Sequence, residues 1–381
     1  MSVVVVGGGL IGLATAWRTA LRGLAVTVVD DAPGTGSSRA AAGMLAPVAE
    51  ASYGEEHLLA LSRASLARYP SFVAELEQAT GCAVGLRTAG TLLVGVDEDD
   101  ATALARLHDY QLELGLASER VTVRECRRRE PALTPRLRGG LVVAGDHSVD
   151  ARALHAALLV AAERAGVRVV RERAAALLVE GGCAVGVRTA GGDELRAPTV
   201  VLALGAACAS LPGVPPGVVP VRPVKGQVLR LRGEPVLGGT VRALVRGREV
   251  YLVPYGGDRL VVGATVEEQG FDLRVTAGAV LDLLRDAAEV VPAITELELV
   301  ETLAASRPGS PDNAPLLGPS GLPGLVLATG HHRNGVLLTP ATADALAALL
   351  ADGALPAVAD GFSPRRFDVV PDPRPQEEAC T

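Results

Sequence analysis

The chain has 381 residues, 49% of them hydrophobic, which is enough to bury the core of one large or two medium domains and excludes a disordered chain. A formal net charge of -7 gives no electrostatic footprint for a nucleic-acid backbone. Cys82, Cys126, Cys183, Cys208 and Cys380 form an odd set without C-x-x-C or metal-like spacing, which points away from a disulfide framework or a metal site and toward a reducing cytoplasm.

Residues 3–6 are four valines, read as a buried strand because glycines follow at once and no basic segment precedes them. A helix over 10–22 and a second apolar strand over 25–30 complete a β-α-β unit. Leu58, Leu61, Leu66, Tyr69, Phe72 and Leu76 have helical spacing within 57–80, followed by a strand at 91–96 and a helix over 100–114. The Arg- and Glu-dense stretch 119–135 reads as a solvated face. After a strand at 141–144, Asp150 is placed to cap a helix through 165, because its carboxylate can accept the free amides of the first turn.

Strands are expected at 167–170, 175–179, 184–189 and 199–203. Between 218 and 264 the pattern changes to alternating strands, such as those at 228–231, 249–254 and 259–263, separated by glycine turns, which reads as an antiparallel sheet. A helix over 277–290, strands at 297–302 and 325–328, and a last helix over 335–350 complete the ordered chain. The Pro-rich stretch 371–381 is expected to be disordered. No run reaches the roughly twenty uninterrupted apolar residues of a membrane span.

The first turn, Gly7-Gly8-Gly9-Leu10-Ile11-Gly12, is G-x-G-x-x-G between a strand and a helix. Gly7 permits the tight turn, Gly9 lets backbone approach a pyrophosphate, and Gly12 lets helix and strand pack closely. Asp30, at the end of the second strand, is placed to accept hydrogen bonds from a ribose diol. These features imply a dinucleotide and leave FAD and NAD both open.

Two further segments, Gly36-Ser37-Ser38-Arg39-Ala40-Ala41-Ala42-Gly43-Met44 and Gly330-His331-His332-Arg333-Asn334-Gly335, resemble the flavin-contacting loops of the D-amino-acid oxidase superfamily, in particular its glycine oxidase branch. The resemblance runs from Val3 to about Leu350. It implies FAD in a discontinuous Rossmann-like domain (1–82, 142–212 and 305–362), a second, antiparallel-sheet substrate domain (83–141 and 213–304), an α/β (α+β overall) fold and a C-terminal tail over 363–381. Cofactor contacts are implied for Leu10, Ile11, Asp31, Ser37, Ser38, Ala42, Gly43 and Met44, beside Gly7, Gly9, Gly12 and Asp30. Ala176 is implied near the adenine, and His331, His332, Arg333, Asn334, Gly335, Val336 and Leu337 along the late loop. Small residues at 41–43 let backbone lie against the isoalloxazine, and the amides of the late turn, with the N-terminus of the last helix, are expected to favour negative charge on reduced flavin.

Arg307, in Arg307-Pro308-Gly309-Ser310-Pro311-Asp312, and Tyr251, in Tyr251-Leu252-Val253-Pro254, are implied as a substrate carboxylate clamp, since Arg pairs bidentately with a carboxylate. Arg333 is open to either substrate or flavin. The implied reaction is oxidation of glycine, sarcosine or a small D-amino acid by molecular oxygen, linked to thiamine biosynthesis, with no catalytic acid-base residue. The absence of Cys between Cys208 and Cys380 implies non-covalent flavin. The family often forms homotetramers, so a homo-oligomer is expected. Val266 stands where relatives often carry a larger side chain, and Glu249 precedes Tyr251 by two; both bear on substrate size. Competing readings are a D-amino-acid dehydrogenase serving a quinone, a non-catalytic flavin-carrying subunit, and a nicotinamide dehydrogenase.

Overall fold

Val3 to Val6 are each 3% exposed or less, so β1 (Ser2–Val6) is covered on both faces, as a strand inside a parallel sheet must be. The structure, a computed structural model, describes residues 2–367. From β1 the chain forms α1 (Leu10–Ala20), β2 (Ala25–Val29), the single turn α2 (Ser37–Ala40) and the short β3 (Met44–Leu45). It continues through α3 (Glu56–Thr80), β4 (Thr91–Gly95), α4 (Glu98–Glu113), β5 (Glu119–Val121), α5 (Val123–Arg129), β6 (Gly139–Val143) and β7 (His147–Ser148). Asp150 then caps α6 (Ala151–Arg164), accepting from the amides of Arg152 and Ala153 at 3.0 and 3.2 Å. Next come β8 (Arg168–Val170), β9 (Ala174–Glu180), β10 (Cys183–Thr189), β11 (Glu194–Arg196) and β12 (Thr199–Leu202). The last part holds β13 (Arg222–Arg232), β14 (Thr240–Val245), β15 (Arg248–Pro254), β16 (Arg259–Gly263), α7 (Ala277–Val290), β17 (Glu298–Gly309), β18 (Leu316–Pro319), β19 (Leu325–Thr329) and α8 (Thr339–Asp352).

A six-stranded sheet has the order β18-β19-β12-β1-β2-β8 and is parallel except for β18. Helices α1, α3, α6 and α8 pack together, burying Leu13, Trp17, Tyr69, Phe72, Leu76 and Leu158. The second sheet has eight strands in the order β17-β13-β16-β15-β14-β4-β6-β5. One of its faces buries Leu229, Leu231, Val241, Leu252 and Leu260 with Leu283 and Val290 of α7. Alternate residues of these strands, Gly226, Val228, Arg242 and Tyr251, line a cavity, together with Ala305 and Arg307 of β17.

This sheet is mixed, because β14 and β4 run parallel. The two strands are joined by a long excursion and not by a tight turn, so no hairpin dictates their direction. Strand β14 adds to the three strands named for 218–264, and β17 extends well past 302 and carries Arg307 within it. Residues 119–135, expected only as a solvated face, contain β5 and α5. The last helix starts at Thr339, one turn later than expected, after a 3-10 turn at His332–Asn334. Strands β6 and β17 run unbroken through 142 and 305, where the chain was expected to pass between domains. Within the expected tail, Arg366 bonds Asp312 at 2.8 and 2.9 Å; the Pro-rich stretch 371–381 lies outside the described residues. Among the described residues no single helix is long and apolar enough to cross a membrane.

Candidate active site

The glycine turn after β1 leaves no room for side chains at two of its positions. Gly7 has φ +112°, and a Cβ there would lie 2.5 Å from the Ala203 carbonyl oxygen; a Cβ on Gly12 would lie 1.9 Å from the oxygen of Gly7. Asp30 ties the turn to β2 by accepting from the Gly8 amide at 2.6 Å and the Ala32 amide at 2.8 Å. Ser38 Oγ accepts from the Leu10 amide at 3.1 Å, one of the donors that the start of α1 leaves free. The backbone of the second flavin segment is equally confined, since a Cβ on Gly43 that continued its φ of +71° would sit 1.8 Å from the Val149 oxygen.

These elements wall a cavity of about 1100 Å³, above the roughly 300–1,000 Å³ of ordinary small-molecule sites. Gly7, Gly9, Leu10, Ile11, Asp30, Asp31, Ser37, Ser38, Ala42, Gly43 and Met44 line one side. Tyr251, Arg307, His331, His332, Arg333, Gly335 and Val336 line the other. Four expected contacts lie elsewhere: Gly12 packs behind the turn, Ala176 sits on β9, Leu337 is in the helical core, and Asn334 lines a small pocket beside Glu55 and Ser62. Gly335 and Val336 line the cavity whereas Thr339, which begins α8, does not; the helix end is one turn removed from where it was expected.

The late loop carries two histidines held neutral. Burial pushes His331 down to about 3, and its Nε2 lies 3.0 Å from Thr342 Oγ1. His332 is pushed down to about 4, by burial first and then by Arg333 and Arg307. Its Nδ1 is buried without a hydrogen-bond partner among the described residues, as expected of a polar atom waiting for a bound group. The confined glycine backbone, Asp30 and this orphaned nitrogen fit a dinucleotide with a polar ring at its far end. No cysteine among the described residues lines the cavity.

Arg307 reaches from β17 across β13, where residue 226 is glycine; a Cβ there would be 2.4 Å from Arg307 Nη1. Its Nη1 donates to the carbonyls of Thr265 at 3.1 Å and Lys225 at 3.4 Å, and no carboxylate among the described residues pairs with it. The Tyr251 hydroxyl lies over Gly263, 2.4 Å from where a Cβ would be. Gly263 pairs with Val228, two residues from Gly226 on the neighbouring strand, so phenol and guanidinium meet on one face. Burial raises the Tyr251 phenol, and the Arg307 charge opposes that rise. Arg333 is committed to the cavity rim, donating to Glu55 at 2.8 Å and Ser52 Oγ at 3.1 Å.

Two cavity residues carry no sequence signal. Arg242, opposite Tyr251 in the sheet, is ion-paired with Glu50, and its Nη2 donates to Glu249 at 3.1 Å. Asp146 fixes the loop that carries Glu50, accepting from the amides of Val48 and Ala49 at 3.3 and 2.9 Å; burial raises its carboxyl to about 7.

The chain is 36% identical over 345 residues to a glycine oxidase of Geobacillus kaustophilus, covering 89% of this chain and 90% of that one. The crystal structure of a glycine oxidase from the same organism superposes with a TM-score of 0.86 at 35% identity, over 95% of this chain and 97% of that one. A bifunctional protein ThiO/ThiG of a Nostoc species is 35% identical over 353 residues, which are 92% of this chain and 52% of that longer protein. The family described as FAD dependent oxidoreductase matches residues 2–349. With a glycine-walled dinucleotide cradle at one end of the cavity and, at the other, an arginine that no carboxylate among the described residues pairs with, the chain belongs to this family of FAD-dependent oxidoreductases.

Proposed function

We propose that the chain oxidises glycine to glyoxylate, ammonia and hydrogen peroxide, that sarcosine or small D-amino acids react likewise to the corresponding 2-oxo acid and amine or ammonia, and that it supplies thiazole synthesis in thiamine biosynthesis. The observation that carries this reading is the Arg307 guanidinium, facing the cavity beside the Tyr251 hydroxyl without a carboxylate partner among the described residues. A substrate carboxylate completes it as a charge-assisted pair. Bound FAD, held without a covalent link, supplies acceptance of a hydride and delivery of the electrons to molecular oxygen.

The protein's part is positioning. Arg307 and Tyr251 fix the carboxylate, which fixes the α-carbon attached to it, and orientation of this kind lowers a barrier without any proton-transferring side chain. His331 and His332, neutral through burial, supply shape and add no charge. In sum, glycine, water and oxygen give glyoxylate, ammonia and hydrogen peroxide. The six-stranded sheet drawn from 1–82, 142–212 and 305–362, and the eight-stranded sheet drawn mainly from 83–141 and 213–304, support a two-domain division with the site between them. A cytoplasmic homo-oligomer, a tetramer by family habit, is part of the same proposal and is read from light scattering of the purified protein.

The test follows peroxide release in air with glycine, sarcosine, D-alanine, D-proline and L-alanine as separate substrates. Glycine turnover comparable with or above the others is expected. Arg307→Ala should lower kcat/KM for glycine roughly 30- to 1,000-fold, the loss of about 2–4 kcal/mol that follows removal of one partner of a buried charge pair. If a larger D-amino acid bleaches the flavin and oxygen does not restore it, the chain is a dehydrogenase and the oxidase reading is wrong.

A further inference from the structure

The cavity extends past Tyr251, on the side away from Arg307. There Arg242, Glu50 and Glu249 all line it. Arg242 on β14 stands directly opposite Tyr251 on β15, which pairs in turn with Gly263 on β16, the residue its hydroxyl covers. With neighbouring strands about 4.8 Å apart, Arg242 lies two strands, on the order of 10 Å, from the Gly263 end of the carboxylate clamp.

The two partners of Arg242 differ in character. The Glu50 side chain is 12% exposed and belongs to the loop that Asp146 anchors, so it neutralises Arg242 permanently. The Glu249 side chain is 74% exposed and touches the other arm of the guanidinium at 3.1 Å. Solvent screens the Glu249 end of this pair, which makes it the weaker of the two holds on the half-buried Arg242. A ligand carboxylate arriving from inside the cavity can take the place of Glu249 on Nη2, exchanging one anion for another and leaving no buried charge unpaired.

We propose that Arg242 is a second anion subsite, so that the cavity receives amines bearing two carboxylates, one on Arg307 and Tyr251 and the other on Arg242. N-(carboxymethyl)glycine and short acidic D-amino acids have that form. The proposal rests on the reading of Arg307 as the first carboxylate clamp. Glu249 acts as the stand-in anion, and its departure is what admits the second carboxylate.

The test uses the FAD-loaded protein with two ligands that cannot be oxidised, acetate and glutarate, their binding read from the perturbation of the flavin absorption spectrum. Glutarate is expected to bind at least tenfold more tightly than acetate. Arg242→Met should reduce that preference to threefold or less, and Glu249→Gln should increase it by threefold or more. Because Arg242→Met leaves Glu50 buried without its partner, Arg242→Met/Glu50→Gln is measured alongside it. Should neither fold, the exposed Glu249→Gln decides the matter by itself. Equal binding of the two ligands, a preference that survives the loss of Arg242, or no gain in Glu249→Gln overturns the subsite. Glycine oxidation without any dicarboxylate preference removes the subsite and leaves the glycine reading standing; dicarboxylate preference without glycine oxidation does the reverse.

Discussion

The guanidinium of Arg307 occupies the space that a side chain at residue 226 would need. Gly226→Ala therefore acts on the clamp before it acts on the fold, because the atoms in its way are the tip of a flexible side chain. Displacing a positioning group by about 1 Å costs up to roughly 100-fold in rate, so kcat/KM for glycine should fall by tens-fold while the melting temperature moves by only a few degrees. A large drop in melting temperature with KM unchanged would refute this account. Protonation is also decided residue by residue. Below its ordinary 6.5 the unfolded chain protonates His331 and the folded chain, at about 3, does not, so His331 withdraws stability as pH falls through that range. Asp146 has the opposite sign: between 3.8 and about 7 only the folded chain keeps its proton, so its contribution is lost as pH rises. Each slope reaches about 1.4 kcal/mol per pH unit. Melting temperatures between pH 4.5 and 6.5 should thus fall on acidification less steeply in His331→Asn, and more steeply in Asp146→Asn, than in the parent.

At the scale of elements, α6 begins where Asp150 accepts two amides, and the other oxygen of the same carboxylate pairs with Arg259 at 2.9 Å. Asp150→Ala should cost about 1–2 kcal/mol, visible as a lowered urea midpoint, and Asp150→Asn should recover the capping part. This cap, the glycine turn and α7 were legible because their signals are local: a capping side chain before an apolar period, or three glycines at fixed spacing. Strand β14 was not, since Thr240 to Val245 follows Gly238-Gly239 and is interrupted by Arg242, which reads as a turn. The end of β17 was missed for a similar reason, as Ala304, Ala305, Ser306 and Arg307 lack the branched side chains that mark strands. That Arg307 and Tyr251 line one cavity was legible through the resemblance of their motifs. Glu50 and Arg242 are 192 residues apart and come together only because β14 settles beside β15, which no local pattern announces.

At the scale of the whole molecule, Glu301 ties the two sheets together. From β17 it accepts Arg39 of α2, within the first flavin-like segment, at 2.7 Å and Arg152 of α6 at 2.7 Å, with Arg230 of β13 at 3.8 Å. Burial works to raise its carboxyl, but the bonds from Arg39 and Arg152 prevail and hold it below the usual carboxylate range. Glu301→Gln leaves three guanidiniums facing a neutral group, at a cost of about 1.5–3 kcal/mol for charged hydrogen bonds lost. FAD fluorescence should then appear at a lower temperature on heating than in the parent; release at the same temperature would show that the tie is idle. Strand order carries a further consequence. β12 lies between β1 and β19, and the cavity walls draw on residues within 7–44 and, far later in the chain, on residues within 328–336. A nascent chain still on the ribosome short of residue 336 therefore owns half a cradle, and the cofactor can be captured only after synthesis is nearly finished. Binding that belongs to the folded state alone draws the chain toward it by mass action. A cell short of flavin should consequently lose this protein itself, through aggregation or proteolysis of the waiting chain, before it accumulates an inactive form.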